Sequence, residues 1–120
     1  MASRRRTFQI AEKIRMIIAG ELLRTADPRF HLVTITSVVV STDMRYAKVY
    51  WVVSGNQERV AEVTEAFQGA DHLFRRSVAK DLGVKFVPEI KFFYDDTLDV
   101  SGEVEELFER IAAEREKESV

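Results

Sequence analysis

Two runs of β-branched residues, separated by a short polar turn, constrain this chain more than any other feature in it. Residues 32–41 read Leu-Val-Thr-Ile-Thr-Ser-Val-Val-Val-Ser, and residues 46–54 read Tyr-Ala-Lys-Val-Tyr-Trp-Val-Val-Ser. Branching at Cβ restricts rotamers in a helix and suits a pleated surface, so both runs predict strands. Thr42-Asp43-Met44-Arg45 lies between them and supplies the turn of an antiparallel hairpin. In the second run, the strand period of two places Ala47, Val49, Trp51 and Val53 on one face. Tyr46, Lys48, Tyr50 and Val52 fall on the other. A lone hairpin is marginal in water, so the rest of the chain must cover its apolar face.

The flanking segments have the helical period that such a cover needs. Ile10, Ile14, Ile17, Ile18 and Leu22 recur at spacings of three and four within a helix predicted over 7–24, with Thr7 as its N-cap. Asp27-Pro28 ends it, because the residue before proline is pushed out of the α region. Gly55-Asn56 opens a second helical stretch, which reaches Leu82. Val60, Val63, Phe67 and Ala70 form one stripe there, and Phe74, Val78 and Leu82 form another. Glycine and aspartate are poor helix-interior residues, so Gly69-Ala70-Asp71-His72 predicts a kink or break between them. Gly83 fits a C-cap.

Residues 84–94 predict a third strand, with Pro88 marking an edge or a bulge and Asp95-Asp96 ending it. An acidic helix is predicted from Val100 to about Glu116, with Val104, Leu107, Phe108 and Ile111 as its stripe. The order α-β-β-α-α-β implies an α+β, two-layer domain: a three-stranded sheet with helices on one face, plus the C-terminal acidic helix. It matches the type II K-homology arrangement, a compact nucleic-acid-binding unit. The expected division is a K-homology-like domain over 1–97 and an acidic tail over 98–120.

Charge supports the same division. The formal net charge is −2, which hides an asymmetry. Residues 1–91 sum to +5, and residues 92–120 to −7. A basic body with an acidic extension points to a polyanionic partner for the body. There is no cysteine, which excludes disulfides, a zinc ribbon and thiol catalysis. No apolar run approaches the length of a membrane span. Neither histidine, His31 nor His72, has a nucleophile or acid in a catalytic pattern beside it. Asp95, Asp96 and Asp99 lack calcium-loop spacing and read as a solvated strand end. Phosphate-cradling glycine motifs are absent. A metal site, a cofactor and an enzymatic activity are therefore not expected.

The basic residues carry more information. Arg4, Arg5 and Arg6 are expected to form a mobile cationic arm that could neutralise phosphates. Arg75, Arg76 and Lys80 lie off the Phe74–Val78–Leu82 stripe, Lys85 follows on the third strand, and Arg45 and Lys48 mark the hairpin. These nine are the expected phosphate contacts. K-homology domains that read single strands use a G-x-x-G loop. No two of the five glycines here are three apart, and Gly69-Ala70-Asp71-His72 stands where that loop belongs. Binding through arginine and lysine to folded RNA is expected instead.

Over residues 4–111 the chain resembles bacterial ribosome-binding factor A. The resemblance rests on Arg5 before the first helix, Asp27-Pro28-Arg29, Val33-Thr34-Ile35-Thr36, Val38, Val40 and Ser41-Thr42-Asp43. It continues through Ala47-Lys48-Val49-Tyr50, Leu73-Phe74-Arg75 and Val87-Pro88-Glu89-Ile90, then Phe92-Phe93-Tyr94-Asp95. The resemblance implies a type II K-homology fold in which an Ala-x-Gly helical kink replaces the G-x-x-G loop. Ala70, Asp71 and His72 occupy that place, with histidine where the family has glycine. It also implies a cytoplasmic, monomeric, non-enzymatic factor linked to cold adaptation. Such a factor binds the small (30S) ribosomal subunit, assists late maturation of its 16S rRNA, and is released by an assembly GTPase. The rival reading is a protein-interaction module docking a partner through its acidic C-terminal helix.

Overall fold

A computed structural model of the chain describes residues 3–97. Helix α1 spans Arg4–Arg24, strand β1 Val33–Val40, strand β2 Tyr46–Val53, helix α2 Gln57–Leu82 and strand β3 Glu89–Tyr94. A single 3-10 turn, Pro28–Phe30, links α1 to β1. The acidic helix predicted beyond residue 100, with its Val104–Ile111 stripe, lies outside the described residues.

The sheet order is β1-β2-β3, with β1 and β2 antiparallel and β2 and β3 parallel. Parallel neighbours need a crossover connection, and α2 is that connection. Both helices pack on one face of the sheet, giving the expected α+β, two-layer architecture. Ala47, Val49, Trp51 and Ile90 are buried against them. An aromatic cluster fills the layer between. The Phe67 ring stacks on Phe92 at 4.4 Å, and Phe30 meets Phe67 at 4.9 Å and Phe74 at 5.7 Å. Trp51 lies 5.4 Å from Phe67 and 5.2 Å from Tyr94.

Four expectations need correction. First, α1 begins one turn early: Ser3, not Thr7, is its N-cap, and the Ser3 hydroxyl accepts from the Arg6 amide at 3.2 Å. Thr7 is already helical, and its hydroxyl donates to the Arg4 carbonyl. Second, α2 has no break at Gly69–His72. Val63, Phe67, Ala70, Phe74, Val78 and Leu82 follow one another at spacings of three and four, so the two predicted stripes are in phase and make one continuous helix. Third, β3 starts at Glu89, because Pro88 has no N–H to give to a ladder. Fourth, the first strand, expected over 32–41, spans Val33–Val40 and contains a bulge at Thr36 between Ile35 and Ser37. The extra residue shifts the inward positions from Val33 and Ile35 to Val38 and Val40.

The Asp27-Pro28-Arg29 segment is a local clip. Asp27 caps the 3-10 turn by accepting from the Arg29 amide at 2.9 Å, and its carboxylate holds the Arg29 guanidinium at 2.7 Å. Arg59 secures the far side by donating to the carbonyls of His31 at 2.8 Å and Arg29 at 3.3 Å. The clip drives Phe30 into the core.

Candidate nucleic-acid interface

Each predicted phosphate contact is solvent-exposed, and they fall into separate neighbourhoods. The strongest is at the start of α1. Arg4, Arg5 and Arg6 are not a mobile arm; they form the first helical turn, capped by Ser3. No acidic residue shares that turn. The positive end of the helix dipole therefore reinforces three guanidinium groups instead of being offset. That turn opens onto a groove of about 630 Å³ whose lining includes Arg6, Phe8, Glu12, Lys13, Leu82 and Val84.

The groove brings the start of α1 against the end of α2. Gly83 caps α2 in the left-handed conformation, at φ 71°, and turns the chain into the 84–88 loop. Lys80 lies two residues before Leu82, and Lys85 directly follows Val84. Lys85 is thus a loop residue and not a strand residue; its ammonium lies 5.5 Å from the exposed Phe86 ring. Lys13 belongs to the same neighbourhood but was not among the predicted contacts. Its position one turn after Gln9, facing the same groove, is a helical-period signal present in the sequence.

A second neighbourhood surrounds the start of β3. The Glu89 amide donates to the Arg45 carbonyl at 2.8 Å, which brings the hairpin turn beside β3. Arg75 reaches Glu89 from α2 at 3.8 Å and also pairs with Asp71 at 3.2 Å. Two carboxylates therefore already neutralise Arg75. Arg45 has a looser partner, Asp43 at 4.0 Å. Asp43 is held below the usual carboxylate range by the Ser41 hydroxyl, then by the Arg45 amide. Arg76 donates to His72 Nε2 at 3.1 Å. Only a neutral imidazole can accept that bond.

Lys48 is alone among the nine in lying on the outer sheet face. Its cross-strand neighbour is Lys91, and its ammonium lies 6.0 Å from the Phe93 ring. At the end of β3, Asp95 accepts from the Thr36 hydroxyl at 2.7 Å, tying the β1 bulge to the third strand. Hydrogen bonds from Thr97 and Thr36 hold the Asp95 carboxyl below its ordinary value. Among the described residues, no cluster of His, Cys, Asp or Glu could hold a metal ion. No described helix is long and apolar enough to cross a membrane.

The comparison with known proteins bears on this surface. A family model described as ribosome-binding factor A matches residues 3–108. The chain belongs to the ribosome-binding factor A family. Ribosome-binding factor A of Desulfatibacillum aliphaticivorans is 39% identical over 88 residues, covering 73% of this chain and 72% of that protein. The solution NMR structure of a Thermotoga maritima protein described by the same family name superposes with a TM-score of 0.68 at 33% identity, covering 78% of this chain and 90% of that one. A Thermus thermophilus ribosome-binding factor A homology model, fitted into a cryo-EM map of a 30S complex, shares the fold with a TM-score of 0.62 at 20% identity, covering 74% and 94%. In this family member, the segment expected to be an Ala-x-Gly kink is Ala70-Asp71-His72 within α2, and the Asp71 carboxylate is engaged by Arg75.

Proposed function

We propose that this family member is a non-enzymatic assembly factor that binds the small ribosomal subunit and assists late maturation of its 16S rRNA. Family membership supports this reading, as does the 30S complex of the Thermus thermophilus relative. The observation that carries the mechanism is the arginine turn of α1, which contains no acidic residue and is set beside the end of α2. Arg4, Arg5, Arg6, Lys80 and Lys85 engage phosphates there. Arg45, Lys48 and Arg76 add contacts on the remaining surface. Arg75 contributes least, because a phosphate must displace Asp71 and Glu89 from it. Phosphate contacts fix position and carry no sequence information, so specificity comes from the shape of the assembling particle.

The reading includes a helix kink at Ala70, Asp71 and His72 on the bound subunit. It also includes action as a monomer in the cytoplasm, a role in cold adaptation, and release by an assembly GTPase. A unit over 1–97 does the binding, and 98–120 forms the acidic extension. Co-sedimentation with small subunits across a salt series tests the proposal. Affinity should fall steeply as salt rises, because binding releases condensed counterions. Reversing Arg4, Arg5 and Arg6 to Glu should abolish co-sedimentation, and reversing Arg75 and Arg76 should weaken it less. Salt-independent binding that survives both reversals would instead favour docking through the acidic segment.

A further inference from the structure

The solvent face of the sheet carries a pattern that neither the fold nor the α1–α2 groove requires. Among the described residues, the helices cover only one face. On the other, the parallel register of β2 and β3 aligns Tyr46 with Glu89, Lys48 with Lys91, and Tyr50 with Phe93. A lysine rung therefore lies between an aromatic rung and a further tyrosine. Tyr46 is 47% exposed and Phe93 39%. The Tyr50 and Phe93 rings lie 5.8 Å apart with planes 33° from each other, forming a shallow two-ring shelf.

The lysine rung is the informative part. Like charges directly across a sheet are destabilising. Among the described residues, neither Lys48 nor Lys91 forms an ion pair. The two carboxylates at the ends of this face have other partners. Glu89 meets Arg75, and Asp95 is held by the Thr36 and Thr97 hydrogen bonds. Among the described residues, the face therefore presents two ammonium groups without an ion-pair partner beside exposed rings. This pairing of charge and ring suits a single-stranded nucleic acid, whose bases stack on aromatic side chains while its phosphates meet cations.

We infer that the outer sheet face is a stacking platform for unpaired nucleotides of RNA. Tyr50 and Phe93 receive bases, Lys48 and Lys91 take the flanking phosphates, and Tyr46 extends the shelf. The inference rests on the RNA-binding reading above and adds a second surface to it. The α1 turn meets folded RNA through phosphates alone, whereas this face selects segments whose bases are free. An RNA segment still unpaired in an immature particle is the chemical class it fits.

The test uses the full chain and a labelled eight-nucleotide oligoadenylate, with fluorescence anisotropy as the readout. Phe93→Leu keeps an apolar side chain but removes the ring, and should weaken oligonucleotide binding roughly 5- to 150-fold, the range seen when one stacking ring is lost. The salt dependence of what remains should not change. Lys48→Gln with Lys91→Gln should instead flatten the slope of log affinity against log salt by about 1.4, at roughly 0.7 per phosphate contact for single strands. A duplex of equal length should be insensitive to Phe93→Leu. The inference falls if the unaltered chain binds small subunits but not the oligonucleotide, or if neither variant changes oligonucleotide binding. The subunit-binding proposal survives either result. The inference also falls if the variants impair subunit binding and leave the oligonucleotide unaffected, because the face would then dock a protein. Loss of subunit binding on reversing the α1 arginines, with oligonucleotide binding intact, would support two independent surfaces.

Discussion

The two faces of the sheet are built from the same strands, one residue out of step, and they perform opposite tasks. Ala47, Val49, Trp51 and Ile90 point into the layer beneath the helices and are almost fully buried. Tyr46, Lys48, Lys91 and Phe93 alternate with them and face solvent. On the inner face aromatic rings meet other rings on most sides, so their area is already removed from water and contributes to stability. On the outer face, among the described residues, Phe93 has one ring neighbour, Tyr50, and one nearby cation, Lys48. The same residue type therefore stabilises the fold in one register and remains available for recognition in the next.

The largest effect should come from removing an inner ring. Trp51→Ala leaves a cavity beside Phe67 and Tyr94 and should cost about 3–5 kcal/mol, a large fraction of a small domain's stability. Urea titration followed by circular dichroism measures it. The outer counterpart, Phe93→Ala, should cost clearly less, since Phe93 is 39% exposed where Trp51 is almost fully buried. Similar losses from the two would break the distinction between the faces.

A smaller effect should follow from loosening the cover of the inner face. Asp27→Ala removes both the cap and the clamp on Arg29, which together seat Phe30 against Phe67 and Phe74. Its urea midpoint should fall, and the loss should depend on pH. The Arg29 side chain, then its amide, holds the Asp27 carboxyl below the ordinary value. A depressed folded-state value contributes stability above the unfolded value, and that contribution is lost as pH falls through the folded one. The gap between Asp27→Ala and the unaltered chain should be full at neutral pH and narrow in acid. A gap that stayed constant through the carboxylate range would assign the cost to the backbone turn alone.

Much of this arrangement was legible in the sequence. The alternation in 46–54 separates the two faces correctly, because a period of two survives in any well-formed strand. The first strand was harder to read. Val38-Val39-Val40 hides its alternation behind three identical side chains, and only the register with β2 reveals the bulge at Thr36. The predicted break in α2 came from weighing Gly69 and Asp71 by intrinsic propensity. In the fold, one in-phase stripe and the Asp71–Arg75 pair override that preference. The candidate site was legible as a set of basic residues but not as an arrangement. Arg75 and Glu89 are brought together by the crossover to β3, so the neutralisation of Arg75 leaves no local trace. Lys91 and Phe93 gain their meaning only once β3 is known to lie parallel beside Lys48 and Tyr50.

The smallest predicted effect separates stability from recognition most cleanly. Gly69 sits mid-helix on the exposed side of α2, and a Cβ added there would meet nothing within 4 Å. Its φ is not in the left-handed region, so alanine is free of strain. Gly69→Ala should therefore stabilise the folded chain by about 0.5–1 kcal/mol through reduced backbone entropy in the unfolded state. Neither sheet face is touched, so oligonucleotide binding on the outer face should be unchanged. Binding to small subunits gives the further information. If α2 must bend at Ala70-Asp71-His72 on the particle, stiffening the adjacent residue should weaken that binding while thermal stability rises. If subunit affinity instead stays constant as the melting temperature rises, the uninterrupted helix is the binding-competent form, and the proposed kink is not used.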